Sequence, residues 1–263
     1  MISSLFHCQS LTTGHVPISS GYLLFSALSR YLGDSPEGRI LHAEDEGRIF
    51  TLSPMMPDYF WTTYRCAPKN GNIFFEKGAS FAFRASFSDA DVFHGFASGV
   101  VGAALTIDGA GFRVLKASRP GENEMSRQIS VEELNSIPPS LDVFVNFVLP
   151  TGFKSNDRQI TFPAPEIFFG SLAIRLQKIV KAEAFADNTI LRRVLVEDHF
   201  LSSVAVRLKN NQIFRGCVGK VHYSLGALSE PERGSLSRLA ALAPFCGVGY
   251  KVTQGMGLVD IRF

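Results

Sequence analysis

The sequence lacks the features that mark most metalloproteins, membrane proteins and strongly charged binders. Its four cysteines, Cys8, Cys66, Cys217 and Cys246, are scattered, and no two form a C-x-x-C pair. That spacing argues against a zinc site, and neither a metal nor a cofactor is expected. No apolar run reaches the 18 residues of a membrane span. The longest, from Phe93 to Leu105, is broken by His94, Ser98 and three glycines. No signal-peptide pattern opens the chain, so a cytoplasmic, reducing setting with free buried thiols is expected. The net charge is only +2. This excludes a heavily basic protein but leaves room for a local basic stripe of the kind RNA requires.

Apolar residues and phenylalanine are plentiful. Hydrophobic residues make up 46% of the 263 positions, and 23 are Phe. The chain can therefore bury sizeable cores in two domains of ordinary size or one large one.

Glycine is concentrated near the C-terminus, in Phe245-Cys-Gly247-Val-Gly249-Tyr-Lys251-Val-Thr253-Gln-Gly255-Met-Gly257. Such a run can adopt φ > 0 and let another backbone approach closely. Lys251 and Thr253 add a cation and a hydroxyl. The order is helix, glycines, strand, the reverse of a dinucleotide-binding fingerprint. Gly216-Cys-Val-Gly219-Lys220 is too short for a P-loop. On these residues alone, a tight structural turn and a phosphate site both stay open.

Strand and helix patterns alternate along the chain. A strand is expected at 2–11 and a helix from Ser19 or Ser20 to Leu32, ended by the loop Gly33 to Gly38. A strand at 48–52 follows. Ser80 to Phe87 alternates strictly, which predicts one buried and one wet face. Asp89 is placed to cap a second helix, and a hairpin over 105–117 turns at Asp108-Gly109. The polar, proline-bearing stretch 118–140 suits a linker. The order then repeats, with a strand at 141–149, a helix from Pro165 to about Lys181, strands at 200–209 and 212–225, a helix from Glu230 and a strand at 258–263. This β-α-β-β-α-β order, given twice, predicts an α+β fold of two tandem ferredoxin-like (RRM-like) domains. Each would be an antiparallel sheet with helices on one face. Residues 1–138 would form the N-terminal domain. Residues 139–263 would form the C-terminal domain carrying the glycine-rich loop.

Four stretches in order carry a family resemblance. They are Ile40-Leu-His42 with Ile49-Phe-Thr-Leu-Ser53-Pro54; Phe147 to Lys154 with Phe162 to Phe168; Ile213 to Tyr223; and the glycine-rich loop. Together they resemble the CRISPR repeat-processing endoribonucleases of the RAMP superfamily. The resemblance implies the same tandem architecture and a metal-independent endoribonuclease acting on CRISPR precursor RNA. The 2′-OH would attack the adjacent phosphorus and leave a 2′,3′-cyclic phosphate and a 5′-OH. Repeat RNA is the implied partner, with other CRISPR effector subunits a further one. A catalytically silent repeat binder or structural RAMP subunit is the alternative.

That reaction needs a base, an acid and cations for the phosphorane, and histidine fits both proton roles near neutral pH. His42 stands in a polar segment with Arg48 six residues on and Tyr31 near the end of the first helix. This set resembles the family's tyrosine, histidine and lysine arrangement, with Arg in place of Lys. Arg48 would stabilise charge but hardly donate a proton, so proton transfer falls to His42. His15 is the alternative histidine. Tyr31 reads more readily as a core residue than as a catalytic one, and His7 and His94 read as core residues. For RNA contact the resemblance favours Gly247, Gly249, Lys251, Thr253, Gly255 and Gly257. Arg84 and Lys220 are further candidate contacts, each also readable as ordinary surface.

Overall fold

The computed structural model describes residues 1–42, 49–63, 71–180, 188–208 and 212–263. The first half runs β1 (Ile2–Ser10), β2 (Gly14–Pro17), α1 (Gly21–Leu32), α2 (Pro36–His42), β3 (Phe50–Leu52), β4 (Met56–Pro57), α3 (Asp58–Thr63), β5 (Asn72–Phe75) and β6 (Ser80–Phe87). It continues with α4 (Ala90–Val100), β7 (Ala104–Ile107), β8 (Ala110–Ala117), β9 (Arg127–Gln128) and α5 (Val131–Asn135). The second half runs β10 (Asp142–Thr151), β11 (Phe153–Ser155), β12 (Arg158–Ile160), α6 (Pro165–Val180) and α7 (Asn188–Leu191). It ends with β13 (Leu195–Arg207), β14 (Ile213–Ser224), α8 (Glu230–Cys246) and β15 (Val259–Arg262).

Two antiparallel sheets repeat one topology. The first has the strand order β3-β6-β1-β8-β7, with β4 on β6 and β9 on β1. The second has the order β13-β14-β10-β15. In each, the first strand of the β-α-β-β-α-β unit lies between the third and the fourth. The fold is therefore the expected tandem ferredoxin-like α+β.

Phenylalanine builds the first core. Phe6 on β1 stacks on Phe83 of β6 with ring centroids 5.0 Å apart, and Phe96 of α4 meets it edge-on at 5.5 Å. Leu24 and Leu28 of α1 join the same cluster. Asp89 caps α4 as expected: its Oδ1 accepts from the amides of Asp91 and Val92 at 2.9 and 3.2 Å. In the second core, Phe168, Phe169 and Leu172 of α6 pack with Phe147, Tyr223 and the Leu236 and Leu239 face of α8.

Three sequence expectations are corrected. β6 has no wet face, because seven of its eight residues are buried. Its far side, with Leu5 of β1, packs against Val148, Leu149 and Leu258 of the second half. The stretch 118–140 is structured. β9 pairs with β1, and Ser130 and Glu133 form a capping box on α5. Between α1 and His42 the chain forms the helix α2 where a loop had been expected, and Leu41 is buried.

Candidate RNA-processing site

The glycine-rich loop leaves α8 at Gly247, makes a single 3₁₀ turn over Val252–Gln254 and enters β15. Its glycines are spent on close packing within the protein. Gly249 has φ +78, and a Cβ there would land on the Gly152 carbonyl. Gly255 has φ +90, and its Cβ would stand 2.8 Å from the Gly21 Cα and 3.2 Å from Pro54. Many loop amides are also committed. Val248 N donates to Gly257 O at 2.8 Å, Tyr250 N to Gly152 O at 3.0 Å and Gly257 N to Pro150 O at 3.0 Å. The loop therefore locks the second half onto the start of α1. Gly247 and Gly257 take part in the same fold-back, since a Cβ on either would meet Val252 at 3.0 Å.

What the loop presents outward is side chains. Lys251 holds a left-handed backbone at φ 62°, ψ 30°, and its Nζ lies 3.4 Å from Gln254 Oε1. Lys251 and Thr253 are half-buried and line a cleft of about 420 Å³. Ser171, Arg175 and Lys178 of α6 line the same cleft. Leu41, Ile49 and Phe50 add apolar lining. Arg175 donates to the Gly249 carbonyl and so ties α6 to the loop. Burial draws its pKa below the ordinary arginine value, with Cys246 opposing.

The candidate catalytic residues divide around this cleft. His42 is the last residue of α2 and directly follows the cleft-lining Leu41. Arg48 lies outside the described residues, next to the cleft-lining Ile49. Tyr31 is no core residue. It sits on the last turn of α1, is 49% exposed and is not among the residues lining the cleft. His15 lies on β2, exposed, with its ring 5.6 Å from Phe74. It does not line the cleft. His7 is a satisfied, half-buried residue. Its Nε2 is 2.9 Å from Ser118 Oγ and its Nδ1 3.4 Å from Asp58. His94 is exposed on α4 rather than in the core.

Arg84 and Lys220, like Gly247, Gly255 and Gly257, do not line the cleft. Arg84 is corrected outright, because it is 3% exposed and cannot meet a nucleic acid. Its Nε donates to Met125 O at 3.0 Å, Nη1 to Ser86 Oγ at 2.7 Å and Nη2 to Pro244 O at 2.7 Å. Pro244 lies in the last turn of α8, where carbonyls lack helical partners. Arg84 therefore caps that helix from the other half of the molecule, just before the glycine loop begins. The alternating-strand pattern gave no sign of this. Lys220 is exposed on β14, on the open face of the second sheet. Sequence alone could not bring Arg175 and Lys178 to the loop, since their meeting with it is a tertiary contact.

Residues 145–259 match the family model of the CRISPR-associated endoribonuclease Cas6. That segment is similar to Cas6. The resemblance read from its motifs is borne out over that segment in sequence and over the whole chain in fold. A Cas6 product complex is 22% identical, with each chain covered in full and a TM-score of 0.78. Cas6 of Thermus thermophilus is 21% identical over 99% of this chain and 98% of its own, with a TM-score of 0.73. A Cas6-related protein from Pyrococcus furiosus is 15% identical over 99% and 98%, with a TM-score of 0.64. At these identities the structural likeness shows the fold. No curated protein matches the sequence. Among the described residues no helix is long and apolar enough to cross a membrane.

Proposed function

We propose that this chain is a CRISPR repeat-processing endoribonuclease that binds the repeat of a precursor transcript in the cytoplasm and cuts within it. The carrying observation is the cleft where three parts converge: the glycine loop with Lys251 and Thr253, the cations of α6, and the chain on either side of His42 and Arg48. Cations and a hydroxyl lining one cleft suit a phosphodiester backbone. His42, next in sequence to the cleft-lining Leu41, is the residue type suited to proton transfer at the scissile phosphate.

In this reading Lys251, Lys178 and Thr253 hold the backbone. The 2′-OH attacks the neighbouring phosphorus as His42 manages the proton, and a 5′-OH leaves. Arg48 stabilises the phosphorane charge, whereas Tyr31, which does not line the cleft, has no role that the geometry supports. The nucleophile belongs to the substrate, so no metal is needed to generate it. Association with other effector subunits fits the same reading.

The test is incubation with a repeat RNA in EDTA, beside a substrate carrying deoxyribose at the nucleotide 5′ of the cut. Cleavage of the first and survival of the second are expected. Cleavage of the deoxy substrate would show that the 2′-OH is not the nucleophile. Tight binding with no cleavage in any buffer would make the chain a silent repeat binder.

A further inference from the structure

The open face of the second sheet, opposite the face covered by α6 and α8, carries exposed aromatic rings. Phe200 on β13 is 80% exposed, Phe144 on β10 45% and Phe263, just beyond β15, 50%. An antiparallel sheet places directly opposed residues on the same side. The register sets Phe200 across from Lys220 and Lys220 across from Asn146. One row along, His222 lies across from Phe144, and Phe144 from Arg262. The Phe144 and His222 rings are stacked, with centroids 4.3 Å apart and planes at 21°. A hollow of about 750 Å³ runs between these side chains.

Cations on this face could meet an anion. Asp142 is held by His222 at 2.7 Å, and Asp260 lies between Arg127 at 3.1 Å and Arg262 at 4.0 Å. Lys220 is exposed beside the rings, and Arg262, 79% exposed, keeps donors beyond its Asp260 contact. Asp198 also lines the hollow, and its Oδ1 accepts from the His199 amide at 2.7 Å. Flat rings interleaved with cations on a four-stranded sheet are what unpaired nucleobases stack on. A base-paired stem offers no free base faces to such a surface.

We propose that this face binds single-stranded RNA, with bases stacked on Phe200 and Phe144 and backbone phosphates on Lys220 and Arg262. The inference rests on the reading of the chain as an RNA-binding protein. It adds a second site, on the far side of the sheet from α6 and so separate from the cleft, for unpaired nucleotides.

The experiment uses a short oligouridylate carrying one 2-aminopurine, titrated with the full chain. Wild type should quench the probe as the base stacks. Phe200→Leu and Phe144→Leu should each weaken binding about 5-fold or more, the lower end of what one stacked base contributes, and the double variant should lose the quench. Phe200 is the more exposed ring, so Phe200→Leu alone carries the test if the double variant misfolds. Unchanged affinity and quench in Phe200→Leu would overturn the proposal. So would sedimentation showing wild-type self-association that the Leu variants abolish while oligouridylate binding persists, which would make the face a contact between copies. Repeat cleavage by wild type is scored separately. Failure to cleave would remove the endonuclease reading and leave this site standing on the quench alone.

Discussion

Replacing Arg84 by Met tests whether this buried cation is a strut or an RNA contact. Met keeps the apolar stem and deletes the guanidinium with its bonds to Met125 O, Ser86 Oγ and Pro244 O. A hydrogen bond to a charged group contributes about 1.5–3 kcal/mol. The Met125 carbonyl keeps a second partner in the Ser3 hydroxyl at 3.1 Å. The Pro244 carbonyl is worse placed, because Val248 N turns away from it to Gly257 O. Loss of a cation at a helix C-terminus adds roughly 0.3–1 kcal/mol. Relief from burying a charge offsets part of the total, which leaves a net loss of about 2–4 kcal/mol. At about 2–4 °C per kcal/mol for a chain of this size, Tm should fall by roughly 4–16 °C. Thermal unfolding followed by circular dichroism gives the shift, and the salt dependence of repeat binding is measured beside it. Arg84→Lys should fall between wild type and Met, since an ammonium cannot span three acceptors in different directions. An unchanged Tm with a salt slope reduced by one phosphate would refute the reasoning and return Arg84 to the RNA.

Other outcomes are expected of the cleft and the core. His42→Ala should lower the single-turnover cleavage rate by about 10²–10⁴ while repeat binding persists; near-normal cleavage would move the proton role to His15. Lys251→Ala should reduce the salt slope of repeat binding by about 0.7–0.9, and superimposable lines would mean that Lys251 touches no phosphate. Gly255→Val should do more damage than Lys251→Ala, in Tm as well as binding, because its side chain would enter α1 at Gly21 from a backbone with φ +90; a wild-type Tm would exclude that packing role. Burial pushes the Cys217 thiol up to about 12 and the Cys246 thiol up to about 11. Between the ordinary thiol pKa and these values the native chain holds protons that the unfolded chain has lost. Stability should therefore fall as pH rises through that window. A flat denaturation midpoint from pH 9 upward would contradict it.

Most of the fold was legible because its signals are local. The alternation in Ser80–Phe87, the Asp89 cap and the Asp108-Gly109 turn each operate within a few residues. The misreadings arose where distant chain decides. β6 looked half-wet because strand period cannot reveal a second half packed on the far side through Val148, Leu149 and Leu258. The stretch 118–140 looked like a linker because β9 is only two residues long and gains its meaning from pairing with β1. A seven-residue α2 is too short to stand out by periodicity.

The site divides along the same line. The glycines were visible, and so was the fact that another backbone must come close. Which backbone comes close is tertiary: Gly152 at Gly249, and Gly21 at Gly255. A Cβ at either position would meet protein, so under the proposed function the glycines would serve RNA indirectly, by holding Lys251 and Thr253 in the cleft lining. Arg84 belongs to the same arrangement. It fixes the last turn of α8, Gly249 is fixed by Arg175 from α6, and Gly255 is fixed by Gly21 from α1. The loop is thus anchored from both halves of the molecule at points on either side of Lys251. A change at any anchor should shift the Lys251 ammonium relative to the helix end that bears His42. Binding and cleavage would then weaken together, whereas His42→Ala separates them. Measuring both quantities in Arg175→Met decides the matter: a loss confined to cleavage would show that the loop is not the element Arg175 positions.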